Sequence, residues 1–152
     1  MCRYQIFLEK NPHYPKADFE TIQKGQAKDE KLVDLNYTKG PFVAVLLDLA
    51  LREDTKGKES LSSWFVELER QFGGTKGYVV NDLQASIVAL SGKKNGKTAK
   101  TFSEAFLGGK RIPFESLFKN LGVKCDKEGE ATLLPLPEKA ATIRTKVFRA
   151  AQ

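Results

Sequence analysis

Histidine and cysteine are nearly missing from this 152-residue chain, which holds one His and two Cys. A zinc peptidase centre, a zinc finger or a histidine-based triad needs several imidazoles or thiolates held in a framework. No metal site is therefore expected within this chain. His13 lies in the turn-like stretch Asn11-Pro12-His13-Tyr14-Pro15 and reads as a surface loop residue. Cys2 and Cys125 are too few for a disulfide scaffold and too far apart for a metal knuckle, and they leave the redox compartment open. Long apolar runs are missing too: no stretch reaches the roughly 18 residues that a membrane-spanning helix requires. Met1 to Gln5 leads into only Ile6 to Leu8 before charge returns, unlike a signal peptide, and no compartment is assigned. Charge of one sign does not dominate either. Lys and Arg number 25 against 19 Asp and Glu, a formal net charge of +6 spread along the chain. That balance permits an acidic partner without demanding one.

What is present is core-forming material, with 41% hydrophobic residues and ten Phe. This is enough for one folded domain. Tyr37 to Arg52 reads as a helix apolar on nearly every face except those of Asp48 and Arg52, hence a central one. Pro41 places its regular start close to Gly40 or Pro41. Ser60 reads as an N-cap, with Leu61, Trp64, Phe65, Leu68 and Phe72 repeating at three and four, and Gly73-Gly74 as the stop. Asn81 and Gln84 suggest a capping box opening a helix that closes before Gly92. Phe102, Ala105, Phe106 and Leu107 form the apolar side of a further helix. Pro113 then opens a last one, striped by Phe114, Leu117, Phe118 and Leu121 and ended by Gly122. After Val123 the pattern turns β-rich over Ala131 to Leu136 and Thr142 to Phe148. The expected fold is mainly α: four to five helices around a central apolar helix, with a short extended or β C-terminal tail. Three segments are expected: a poorly defined 1–34 holding a truncated element and a loop, a helical domain 35–123, and a tail 124–152 that belongs to the domain or starts another module.

Few residues invite chemistry. Glu67 and Glu69, Asp29 and Glu30, and Glu53 and Asp54 stand one or two apart, so no pair shares a helix face as an acid and base couple would. None of the glycine clusters has the order of a phosphate loop. Lys93, Lys94, Lys97 and Lys100 form the one dense basic cluster. No helix-turn-helix or winged-helix pattern accompanies it, so a solvated loop is expected and nucleic acid is not. Tyr37, followed by Lys39 and Gly40 at the entrance of the apolar helix, is the remaining candidate. A tyrosine hydroxyl on a rigid helix can donate to a developing oxyanion, and a glycine lets a neighbour approach closely.

The run Asn36-Tyr37-Thr38-Lys39-Gly40, followed by Val43 to Arg52 with Leu46-Leu47-Asp48 and Arg52 inside it, resembles a segment of the glycyl aminopeptidase family of gluzincin zinc metallopeptidases. Thr55 to Leu61 fits the glycine-containing turn and Ser-Leu helix start that follow there. Phe102, Phe106-Leu107-Gly108-Gly109, Ile112-Pro113-Phe114 and Leu121-Gly122-Val123 resemble the family's next landmark. Order and spacing agree from about residue 35 to 123. The resemblance implies a C-terminal helical region that forms one wall of an active-site cleft. Tyr37 matches the tyrosine that stabilises the oxyanion, with Lys39 and Gly40 in support. It further implies zinc in the full-length parent, borne by an upstream catalytic half of the same polypeptide, and a peptide substrate. The chain is expected to be inactive alone. The alternative is a non-catalytic helical interaction or scaffolding module that has lost peptidase chemistry.

Overall fold

Helix dominates the computed structural model, which describes residues 2–25, 28–74, 77–138 and 141–142. The elements run α1 (Cys2–Glu9), α2 (Phe19–Gly25), α3 (Glu30–Asp54), α4 (Leu61–Phe72), α5 (Val80–Ser91) and α6 (Lys97–Thr101). A π-helical stretch, Phe102–Leu107, continues α6, and α7 (Phe114–Leu121), β1 (Val123–Cys125) and β2 (Ala131–Leu133) follow. The chain is thus mainly helical with a small antiparallel two-stranded sheet near its C-terminus, as expected. Its contacts fall into two units. One unit joins Met1–Phe42 to Gly109–Gln152, and the other is Val43–Gly108.

The largest departure from expectation is α3. It begins at Glu30 rather than near Gly40, and Pro41 lies in its interior. The start is built by Asp29, whose Oδ1 accepts the Lys31 N–H at 2.8 Å in the manner of an N-cap. The buried positions Leu32, Leu35, Thr38, Lys39 and Phe42 recur at three and four, so packing of that stripe outweighs the few kcal/mol an interior proline costs. Two polar residues in the stripe hid its period from a hydropathy reading.

In the first unit, α1, α2, the early part of α3, α7 and the hairpin surround a core that includes Leu8, Ile22, Leu35, Phe42 and Leu117. The Phe42 and Phe114 rings meet edge to face at 4.8 Å. Cys2 and Cys125 form a disulfide across 123 residues of sequence, with Cα atoms 5.6 Å apart. Two cysteines are too few for a disulfide scaffold, but folding brings α1 against β1 and joins them in a single bridge. Gly122 closes α7 in the left-handed region at φ 62°, as its position suggested. Its carbonyl then accepts the Leu134 N–H at 2.7 Å, next to the pairing of Val123 with Leu133. Of the two strands expected in the tail, Ala131–Leu133 forms; the second lies, beyond Thr142, outside the described residues.

The second unit is a contiguous helical stack. Ser60 caps α4, its side chain accepting from the Ser63 N–H while the Ser63 hydroxyl accepts from the Ser60 N–H at 2.7 Å. The α5 start falls earlier than the Asn81 cap expected. Val79 is the cap position, and its N–H reaches the Asp82 carboxylate at 2.9 Å. Trp64 is buried, donating its Nε1–H to Ser86 Oγ at 2.7 Å and meeting Phe102 edge-on at 6.1 Å. Leu51, Ile87 and Phe102 are fully covered.

Candidate functional site

Between Asn36 and Phe42, α3 has two contrasting faces. Leu35, Thr38, Lys39 and Phe42 are buried, whereas Asn36, Tyr37, Gly40 and Pro41 are exposed. Residues 37, 40 and 41 fall at i, i+3 and i+4 and therefore share one face. Tyr37 is 73% exposed, and it lies two turns inside α3 instead of at a helix entrance. A Cβ built on Gly40 would meet no atom within 4 Å. Pro41 has no N–H to give the Tyr37 carbonyl one turn back, so the backbone of this face also keeps an acceptor outside the helical ladder. Gly40 and Pro41 both weaken a helix interior, and both stand on the face that carries the phenol.

The opposite face is tied down. Thr38 Oγ1 donates to the Asp34 carbonyl at 2.6 Å. Lys39 Nζ lies 3.4 Å from the Ala17 carbonyl oxygen. Burial pushes the Lys39 ammonium below the ordinary lysine range, with the Asp18 charge opposing that shift. The structure thus brings Tyr37 and Gly40 together on the open side and separates Lys39 from both. Ala17 belongs to the loop that leads from α1 to α2. Its other members are also engaged: the Asn11 side chain donates to the Lys31 carbonyl at 2.8 Å, and the Tyr14 hydroxyl accepts the Ile112 N–H at 2.7 Å.

Two polar clusters escaped the sequence reading. Asp48 accepts from Arg52 Nε and from the Leu61 N–H, both at 2.7 Å, with both charged side chains largely buried. The Leu-Leu-Asp and Arg of α3 therefore form an ion pair that also holds the start of α4. Asp54 accepts the Thr98 N–H and hydroxyl, each at 2.8 Å. Burial raises its carboxyl, but hydrogen bonds from Thr98, the Lys97 backbone and Lys93 outweigh that and leave it below the ordinary range. The spacing of four between Asp48 and Arg52 was a readable signal for the first. The second joins residues 44 apart in sequence and had none.

That second cluster also accounts for the lysine-rich loop. Lys93 pairs with Asp54 at 3.4 Å and Lys97 with Glu53 at 2.5 Å. The helix start at Lys97-Thr98, the place where a phosphate would bind, is filled by the protein's own carboxylate. A Cβ on Gly96 would stand 2.5 Å from Asp54 Oδ2, so glycine is needed for the loop to close over it.

Among the described residues, a zinc ion finds no fitting donor set. Both cysteines are consumed in the disulfide. His13 Nε2 is engaged with Asp29 Oδ2 at 2.7 Å. Among the described residues, no group of three or more His, Cys, Asp or Glu side chains converges. Among them, too, no helix is long and apolar enough to cross a membrane. No protein-family model, curated protein or solved structure matches the chain.

Proposed function

We propose that this chain is the C-terminal helical region of a zinc aminopeptidase, contributing one wall of the cleft and the hydroxyl that stabilises the oxyanion. The observation that carries this reading is the open face of α3. A 73% exposed phenol stands beside a glycine with empty space above it, on a helix anchored along its other side. Nothing within the chain requires glycine at position 40, and an approaching peptide backbone would. The Tyr37 O–H donates a hydrogen bond to the oxygen on which negative charge builds during attack on a peptide carbonyl. Among the described residues no set of metal ligands converges, and the metal and the general base are assigned elsewhere. Those parts belong, in this reading, to an upstream portion of the same polypeptide, and the isolated chain is inactive.

The test is Tyr37→Phe in the full-length polypeptide, assayed on short peptides with a free N-terminus. Loss of one oxyanion donor lowers kcat about 100-fold or more with KM little changed. An unchanged kcat removes the reading.

A second reading, a non-catalytic helical interaction module, is favoured by a different observation. Phe65 and Val66 are adjacent on α4 and are 58% and 71% exposed. Paired substitution Phe65→Ser with Val66→Ser abolishes partner binding under this reading and leaves peptidase turnover untouched under the first.

A further inference from the structure

Burying an ammonium costs free energy that a methionine of similar length avoids. Lys39 nevertheless occupies the covered stripe of α3, only 4% exposed, with Nζ 3.4 Å from the Ala17 carbonyl oxygen. The segment it meets is gripped a second time. A Cβ on Gly109 would stand 2.4 Å from the Lys16 carbonyl oxygen, so glycine is required for that approach. Tyr14 and Ile112 are joined by the 2.7 Å hydrogen bond already described. Residues 14–17 are therefore fixed by Lys39 on one flank and by residues 109–112 on the other. Lys39 and the stretch Gly109 to Ile112 both contribute to this grip although some 70 residues separate them.

Tyr37 and Lys39 lie about 200° apart around the helix axis. An anchor at Lys39 consequently sets the rotation of α3 and, with it, the direction in which the phenol projects on the far side. We propose that Lys39 is a positioning residue for Tyr37, its buried ammonium holding the Lys16–Ala17 backbone so that α3 presents the hydroxyl in one orientation. This rests on the reading of Tyr37 as the oxyanion donor. Hydrogen-bond donation to a transition state is sensitive to displacements of about 1 Å. A helix free to roll by a fraction of a turn would lose that alignment without unfolding.

A double-mutant cycle in the full-length polypeptide tests it. Lys39→Met keeps the length and apolar stem and removes the charge. With Tyr37 present it lowers kcat about tenfold, leaving KM and the thermal midpoint close to the parent values. In the Tyr37→Phe background it lowers kcat no further, because the group it positions is gone. Equal loss in both backgrounds overturns the proposal by making Lys39 merely structural, and so does a Lys39→Met enzyme with unaltered kcat. Tyr37→Phe without effect on kcat overturns the underlying reading and this proposal together, which distinguishes the two failures. Should Lys39→Met not fold, Gly109→Ala, which pushes the Lys16 carbonyl from the other flank, takes its place in the cycle. A readout independent of turnover uses this chain with ring-13C tyrosine: the Tyr37 resonance broadens or shifts in Lys39→Met, and an unchanged signal counts against the proposal.

Discussion

The two units of this chain are stabilised in opposite ways. Val43–Gly108 is one contiguous stretch whose contacts span 13 to 44 residues: Asp48 reaches Leu61, Trp64 reaches Ser86, and Asp54 reaches Thr98. The other unit is assembled from the ends of the chain. Cys2 is bonded to Cys125, Glu9 pairs with Arg111 at 2.7 Å, Tyr14 meets Ile112, and Phe42 meets Phe114. Bringing such distant residues together costs more loop-closure entropy than closing the short loops of the helical stack. The comparison teaches where covalent reinforcement matters most, since a cross-link removes entropy from the unfolded chain in proportion to the logarithm of the loop it closes.

The largest expected effect breaks that reinforcement. Reduction of the Cys2–Cys125 bridge, or Cys2→Ser with Cys125→Ser, should destabilise the terminal unit by about 5 kcal/mol on the chain-entropy account. Native-state hydrogen exchange should show protection lost from α1 and α7 while α4 and α5 keep theirs. Equal loss throughout the chain would mean that the two units unfold as one.

Next in size, Asp48→Ala strikes the contiguous unit. It leaves the Arg52 guanidinium without its partner in a mostly buried position and the Leu61 N–H without its acceptor. A loss of about 3 kcal/mol is expected in chemical denaturation. Asp54→Asn should cost less, about 2 kcal/mol, by weakening the charge-assisted bonds to Thr98 and Lys93. The pH dependence follows the sign of the shift. The Asp54 carboxyl lies below its unfolded value, so its stabilisation is complete above the ordinary carboxylate range. It is lost as pH falls through the lower folded value, where the native state takes up its proton last. Lys39 behaves oppositely to a paired lysine. Its folded pKa lies below the unfolded one, so the native state releases its proton first and stability rises with pH within the window between the two values. Lys39→Met should flatten that alkaline rise.

The smallest effect carries a sign that is informative. Gly40→Ala adds a Cβ that meets nothing within 4 Å and should stabilise the isolated chain by about 0.5–1 kcal/mol. In the full-length polypeptide, the same change should raise KM for peptides if a substrate backbone approaches that face. Stabilisation without any change in KM would leave the glycine without a binding role.

The contrast between the units also explains what was legible. The Ser60 cap, the Gly73 stop and the Gly122 terminator are local signals, each decided by a few adjacent residues, and appear where they were read; Pro113 stands one residue before α7 as its cap, and Phe65 leaves the α4 stripe for the surface. The start of α3 was misplaced because Pro41 is a strong local breaker, while the stripe that overrides it contains Thr38 and Lys39. The Asn81 cap was off by two residues because Asp82, a third-position acceptor for Val79, competes with it. The disulfide left no local trace, and the stretch Asn11 to Pro15 was visible as a turn but its contacts were not, because Cys2 meets Cys125 and Tyr14 meets Ile112 about 100 or more residues away. At the candidate site, Tyr37, Lys39 and Gly40 were visible as a motif, but not their division between two faces of one helix.

By itself, then, the sequence determined the helical class, most of the caps and stops, the poverty in metal ligands and the identity of the candidate triplet. These follow from composition, side-chain geometry and the 3.6-residue period. Tertiary structure decided that an interior proline is tolerated, that distant cysteines join, and that Asp54 fills the helix start in the lysine loop. It also decided that Tyr37 faces outward while Lys39 is buried. Each of these depends on free energy gained between residues far apart in the chain, which no local pattern records.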